Sequence, residues 1–426
     1  MTDKKTQVEN VDVGTTAEPS RHNYAFLLGN GSFVDLANQL SNTHVVLPFL
    51  YSVLGYPLAF AGLIVPINNI GGLFGKATSA PLISKASYRK RYMAFGSLAV
   101  GLSLVVLAVL VEIIQINAVA VIFLLIAGIV GVSQGLSSVA FQDVLGRALP
   151  QSRQGPLLFT QTAIGGALAI AAAGATAYFF KGAKPLDSHI SLIWISAVVL
   201  VLAFVFSLLI REPPASANAG SAARGVTSGF HRAFTLVGQT PWFRRFLVAE
   251  VLFLSVALAT SFYSIHAASL HGGKTGSLGV FVIASSLGLV VGGPLWSWLL
   301  GKGFRPVFIL AGLASMSAAI LALIIEALDS AQSMLVHAPV FLLATLGYQA
   351  VTQGRTAYLN HMTTDEERPP FISITQTLLG ALSIGVAALF GAMAQAKSEV
   401  WPVVAILAMN AAAVLYVIAL PLKEEN

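Results

Sequence analysis

Cysteine is absent from all 426 residues. That excludes disulfides, thiolate metal sites and iron–sulfur ligation, and leaves the redox compartment undecided. Charge is the second scarcity: Asp, Glu, Lys and Arg make up 10% of the chain, where a soluble domain carries about 25%. Hydrophobic residues reach 56% and the mean hydropathy is +0.79, so the chain reads as an integral membrane protein. A Walker-type Gly-rich loop is missing, which argues against ATP-driven transport by this chain alone. No cofactor is expected. Residues 1–23 are polar and hold no apolar run, so they are expected to form a disordered cytosolic tail rather than a cleavable signal peptide.

What the chain does have is a succession of twelve apolar segments of spanning length. They fall at 24–50, 57–83, 92–114, 118–142, 156–180, 190–210, 246–270, 275–300, 306–325, 334–360, 370–395 and 401–420. The expected fold is an all-α membrane protein, its twelve helices arranged in two pseudo-symmetric six-helix bundles. The bundles would occupy 24–210 and 242–421, with a cytosolic linker at 211–241 and a short tail at 422–426. The linker opens Arg-Glu-Pro-Pro and continues in Ala, Ser, Gly and Asn, the composition of a flexible connector. Phe230–Val237 has room for a short surface helix, and Trp242, Arg244 and Arg245 make an interfacial anchor for segment 7.

Orientation follows from the basic residues. Of 24 Lys and Arg, 18 fall on the side that holds both ends, the linker and the connections 2–3, 4–5, 8–9 and 10–11. Lys181, Lys184, Lys274 and Lys397 lie opposite, and Lys76 and Arg355 fall within segments. Basic connections stay cytoplasmic, so both termini are expected inside, in an inner (plasma) membrane. The net charge of +6 is then topology and not a nucleic-acid footprint. The cluster Arg89-Lys90-Arg91 has the chemistry to meet anionic lipid headgroups.

Segment 1 is the oddity. Ser32, Asp35, Asn38, Gln39 and Asn42 share one third of a helix circumference, and His44 points the opposite way. If the segment is one helix, Asp35 lies about 16 Å deep. A carboxylate at that depth normally faces a wet cavity or a partner, and is more often functional than structural. The halves also repeat. Thr160-Gln161-Thr162 followed by Gly165 recurs as Thr375-Gln376-Thr377 followed by Gly380, and the same shift carries Gln134 onto Gln349 and Arg153 onto Arg368. Small-residue spacing recurs too, as Gly71/Gly75 and Gly288/Gly292, and signals close packing rather than chemistry. Gly131-Val132-Ser133-Gln134-Gly135 fits a hydrolase nucleophile elbow, but inside an apolar segment the match is spurious.

Twelve spans in two repeated halves around a long cytosolic linker resemble the major facilitator superfamily of transporters. The family signature between segments 2 and 3 is degraded here. Ser84-Lys85-Ala86-Ser87-Tyr88-Arg89-Lys90-Arg91 keeps its basic end and lacks its acid, and Gly301-Lys302-Gly303-Phe304-Arg305 is an equally degraded copy. Asp143 with Arg147 is similar to the family's latch between segments 4 and 5. The resemblance implies that segments 1, 4, 7 and 10 line a central cavity. Gln134, Ser137 and Ser138 on one face of segment 4 agree with that, as do Gln349, Thr352, Gln353 and Thr356 on segment 10. Gln161 and Gln376 would add to the cavity from segments 5 and 11.

The candidate coupling residues are Asp35, with the alternative of a purely structural carboxylate, and its repeat partner Glu250, which lies shallower and suits a gate salt bridge equally well. Arg355 has the right sign to pair with Glu250, although snorkelling is the simpler account, as it is for Lys76. His44 and His266 fall near the outer ends of segments 1 and 7, where they suit a gate better than a metal site. The expectation is a secondary transporter with no enzyme activity. It would move a small solute by alternating access, coupled to protons, and act as a monomer. An exporter of amphiphilic compounds and a non-transporting membrane scaffold or sensor are the alternatives.

Overall fold

The computed structural model describes residues 17–84, 86–113, 118–180, 185–212, 239–271, 277–328, 334–363, 368–396 and 398–419. The expected surface helix at 230–237, most of the linker, the C-terminal tail, the first 16 residues and Lys181, Lys184, Lys274 and Lys397 lie outside these. Among the described residues every regular element is helical: α1 (Ala17–Leu40), α2 (Val46–Val53), α3 (Leu58–Ala61), α4 (Ile64–Ser84), α5 (Lys90–Ile113), α6 (Ala118–Ala148), α7 (Gln151–Phe179) and α8 (Pro185–Leu209) in the first half. The second half has α9 (Pro241–Leu252), α10 (Leu254–His271), α11 (Ser277–Leu300), α12 (Phe304–Ala327), a 3₁₀ turn at Met334–His337, α13 (Ala338–Met362), α14 (Arg368–Ala396) and α15 (Val400–Ala419).

Eleven spans among these are long and apolar enough to cross a bilayer. The expected twelfth, at the start of the chain, is not among them, because α1 carries Arg21, His22, Asn23, Asn30, Asp35, Asn38 and Gln39 and ends at Leu40. Segment 1 is therefore not one helix from 24 to 50, as its hydropathy suggested. Residues 41–45 form a turn before α2. The cause is written four residues later. Proline has no N–H and its ring collides with the carbonyl four residues back, so Pro48 weakens a helix continuing through His44, where the Asn42 turn then breaks it, whereas Pro294 is accommodated inside α11. As the third residue of α2 Pro48 is tolerated, where its N–H has no intrahelical use. Segment 2 breaks by the same rule: Pro66 is the third residue of α4, and the chain turns at Gly62 and Leu63. The break between α9 and α10 at Phe253 has another origin. There the Ser255 hydroxyl bonds to the Leu252 carbonyl and to Asn410 Oδ1, and Asn410 Nδ2 reaches Ser315, a buried polar cluster inserted at the kink.

Within each half the packing is repeated. In the first half α4 lies along α6, α5 along α8, and α1 against α7 and α8; in the second α11 and α12 pack on α13, and α12 on α15. The tightest contact is α4 with α6. A Cβ on Gly131 would run into the Asn68 carbonyl, and one on Gly75 into that of Val132, so the two backbones touch. The halves meet through α7 with α11, α2 with α10, and α3 and α4 with α14. Here the face that holds Ala17, Ile210 and Pro241 is termed the linker face, and its opposite the far face. One apolar core joins both halves towards the far face, including Phe49, Tyr51, Phe262, Phe281, Phe341 and Phe390. Towards the linker face it divides into two separate clusters, one around Leu27, Met93 and Leu145 and one around Phe243, Phe308 and Tyr358.

Candidate functional site

The turn that ends α1 is held by Asn42. Its carbonyl accepts the N–H groups of Val45, Val46 and Leu47 at 3.2, 2.8 and 3.2 Å. Its side-chain oxygen accepts the His44 N–H at 2.7 Å, an Asx turn that competes with the helix. This turns residues 41–44 into the wall of a cavity of about 570 Å³. The size is that of an ordinary small-ligand site.

The cavity is lopsided. Asn30, Asp35, Asn38 and Gln39 line it from α1, Asn42 and His44 from the turn, and Asn68 and Asn69 from α4. Gln134, Ser137 and Ser138 of α6, Gln161 of α7, Ser41 and Thr43 of the turn and Ser97 of α5 add to the polar lining from the first half, while among the described residues the second half supplies Tyr348 alone. Among the described residues no Lys or Arg lines the cavity, and Asp35 is its single carboxylate. Thr162 donates to Asp35 Oδ2 at 3.0 Å, and Gln134 Nε2 donates to Asn38 Oδ1 at 3.1 Å. Ser137 and Ser138 spend their hydroxyl protons on the carbonyls of Met93 and Gly135. Oε1 of Gln39, Oε1 of Gln161 and Nδ1 of His44 are buried without a hydrogen-bond partner. Polar atoms of that kind are costly to leave unmet, and in this conformation all three are shielded from the open cavity.

The other residues singled out in the sequence lie elsewhere. Ser32 is buried on α1 beside Gly165 of α7 and does not line the cavity. Gln349 turns towards α11, where its amide reaches the Leu289 carbonyl at 3.4 Å. Thr352 and Thr356 bond back to their own helix, Gln353 is exposed and Gln376 is half-buried; none of these four lines the cavity. His44 does line it, against the expectation that it points away, because the broken helix no longer sets its direction. Its ring lies 4.9 Å from that of Tyr348.

Glu250 and Arg355 form a buried pair between α9 and α13, Arg355 Nε to Glu250 Oε2 at 2.5 Å. Arg355 therefore does not simply snorkel. Asp143 takes Arg147 Nε at 2.9 Å and also the guanidinium of Arg89, which is buried in the protein. The Arg89 and Lys90 N–H groups, at the start of α5, are capped by the two oxygens of Glu212 at 3.0 and 2.9 Å. Lys90 in return bonds the carbonyls of Leu208 and Ile210 at the end of α8. His266 is buried near the far face, 3.8 Å from Glu326. Among the described residues no three His, Asp or Glu side chains come together as a metal site. Sequence reasoning missed Tyr348, Asn68, Asn69, Arg89 and Glu212. The asparagine pair was visible as polar residues in an apolar segment, whereas the partners of Arg89 and Glu212, more than 50 and 120 positions away, were not.

No family model matches the chain. The uncharacterized proteins Rv2209 of Mycobacterium tuberculosis and Mb2232 of Mycobacterium bovis are each 30% identical to it over 391 residues, covering 91% of this chain and 75% of theirs. Among solved structures, a mutant of the nucleoside transporter NupG matches 93% of this chain and 99% of its own, with TM-score 0.73 and 12% identity. A D-xylose-proton symporter matches 94% and 98%, with TM-score 0.67 and 13% identity. The xylose transporter XylE from E. coli matches 94% and 96%, with TM-score 0.60 and 13% identity. At such identities the likeness is one of fold, and these neighbours are transporters rather than enzymes. The chain therefore belongs to one family with the two mycobacterial proteins, and it shares the major facilitator fold of the solved transporters.

Proposed function

We propose that this protein is a secondary active transporter that carries a small, uncharged polar solute by alternating access, coupled to protons through Asp35. The observation that carries the reading is the cavity: many amides and hydroxyls, one carboxylate and no basic residue. Amides offer both donors and acceptors, so they suit hydroxyl or amide groups of a solute. An anionic solute would meet Asp35 with no compensating cation, which disfavours it. Asp35 has Thr162 as its neutral partner, so it can gain or lose a proton without breaking an ion pair. The transporters with matching folds include a D-xylose-proton symporter, which supports coupling to protons here. The linker face is cytosolic in this reading, in agreement with the placement of basic residues, and the described conformation is closed towards the outside.

The test is uptake into vesicles under an imposed proton gradient, screened over neutral polyols, sugars and nucleosides. Asp35→Asn is expected to cut proton-driven uptake by roughly 100-fold while solute exchange without a gradient persists, since only the proton step loses its carrier. Gradient-driven uptake undiminished by the substitution would refute the assignment of Asp35. Absence of flux for every solute class would refute transport itself.

A further inference from the structure

The hairpin Val46–Ala61 belongs to the first half by sequence, yet it lies against the second. By backbone approach the helices nearest α2 and α3 are α10, α11 and α14; to its own half the hairpin is tied by side chains, Tyr51 and Tyr56 on Phe123 of α6 and Phe49 on His189 of α8. The approach is close. A Cβ on Gly62 would lie 2.7 Å from Phe262 and 2.9 Å from the Ala387 carbonyl, and one on Gly391 would lie 2.7 Å from the Ala59 carbonyl. At the other end of the hairpin Phe49 packs edge-on to Phe281 of α11 at 5.5 Å. Both ends of the hairpin are breaks in the helix, at 41–45 and 62–63, and in both a proline at the third position of the next helix weakens helical continuation. A unit bounded by two such breaks has hinges at both ends.

One of those hinges is also the wall of the cavity. Asn42, Thr43 and His44 line it, and the His44 ring is shared with the second half: it meets Tyr348 of α13 and hydrogen-bonds to the backbone of Ala257 in α10. His44 Nδ1 remains without a partner. We propose that hairpin 46–61 is an outer gate that moves on its own hinges, separately from the six-helix bundle it belongs to, and that His44 is its clasp. Solute entering beside residues 42–44 competes for the His44 ring, frees it from Tyr348 and Ala257, and so unlocks the hairpin. The proposal rests on the transport reading for its purpose, but its geometry stands apart from the identity of the solute.

The absence of native cysteine makes the test direct, because introduced thiols are the only ones. Spin labels are placed on Phe60→Cys in α3 and Tyr178→Cys near the end of α7, both exposed and both in the first half. A second pair, Tyr178→Cys with Leu335→Cys, reports the distance between the halves. Distances are measured in lipid nanodiscs, with His44 present and with His44→Ala. The expected result is that His44→Ala raises a displaced Phe60–Tyr178 population at least ~3-fold while the Tyr178–Leu335 distance is unchanged. Tyr348→Ala, which removes the clasp from its other side, is expected to do the same and serves if His44→Ala does not fold. A constant Phe60–Tyr178 distance in both variants overturns the hinged gate, whether or not Tyr178–Leu335 moves. Neither outcome touches the transport reading, which stands or falls on vesicle flux.

Discussion

Glu250 is completely buried, with one carboxylate oxygen on Arg355 and the other without a hydrogen bond. Such a pair adds little net stability over an apolar replacement, yet removing one partner strands a charge in the interior. Arg355→Met is therefore expected to destabilise the second half by about 3–5 kcal/mol, and Glu250→Gln added to it to recover much of that loss. Thermal unfolding of the two variants in detergent checks this; a single variant as stable as the parent would mean that Glu250 is neutral or solvated. The pairing could be guessed from sign and register, but not assigned. Arg355 sits where snorkelling serves equally well, and only the packing of α9 on α13 removes that option. Arg89 makes the same point. In the sequence it is one of three basic residues in a row; in the fold Asp143 and the Glu212 cap draw it inside while Arg91 stays exposed.

Among the elements, those that stay one helix along their apolar run were legible to within a few residues: α5, α8, α12, α15 and α11, which accommodates Pro294, lie within about five residues of the expected limits. The interrupted ones were not. Hydropathy averages over a window and does not register a proline, so segments 1 and 2 read as single helices although Pro48 and Pro66 divide them. The small-residue pattern was more faithful. Gly131→Leu is expected to cost roughly 1–3 kcal/mol by forcing α4 from α6, whereas Gly174→Leu, with open space around it, should stay within roughly 0.5 kcal/mol. Unfolding in a graded SDS titration followed by tryptophan fluorescence separates the two. Equal stability of both variants would show that the α4–α6 approach has slack.

For the whole molecule, the even number of crossings expected from the sequence requires α1, α2 and the turn between them to act together as one span beside the eleven apolar ones. The topology is tested with single cysteines. Phe60→Cys and Tyr178→Cys are expected to react with an impermeant maleimide on intact cells, and Ser87→Cys, in the connection from α4 to α5, only after permeabilisation. Labelling of all three from one side would invalidate the alternating arrangement. The two halves share a plan, but the cavity does not share itself between them: Asp35 and the amides gather in the first half, and Tyr348 is the sole contribution of the second. Repeat register matched Gln349 to Gln134 and put both on the cavity in expectation, but in the fold Gln349 faces α11 and Gln134 the cavity. Two helices of the same pattern can be rotated differently by their neighbours, and rotation is invisible to a shift of 215.

The sequence alone determined the solvent, the helical class and the two-fold plan, because these depend on composition and on regularities along the chain that need no partner. It also placed Asp35 among amides, since a helix face is a local property. Tertiary structure decided which polar residues converge, which are spent on other helices and where the halves touch. Those outcomes depend on distances between residues far apart in the chain, and on a break in α1 that redirects every side chain after Leu40.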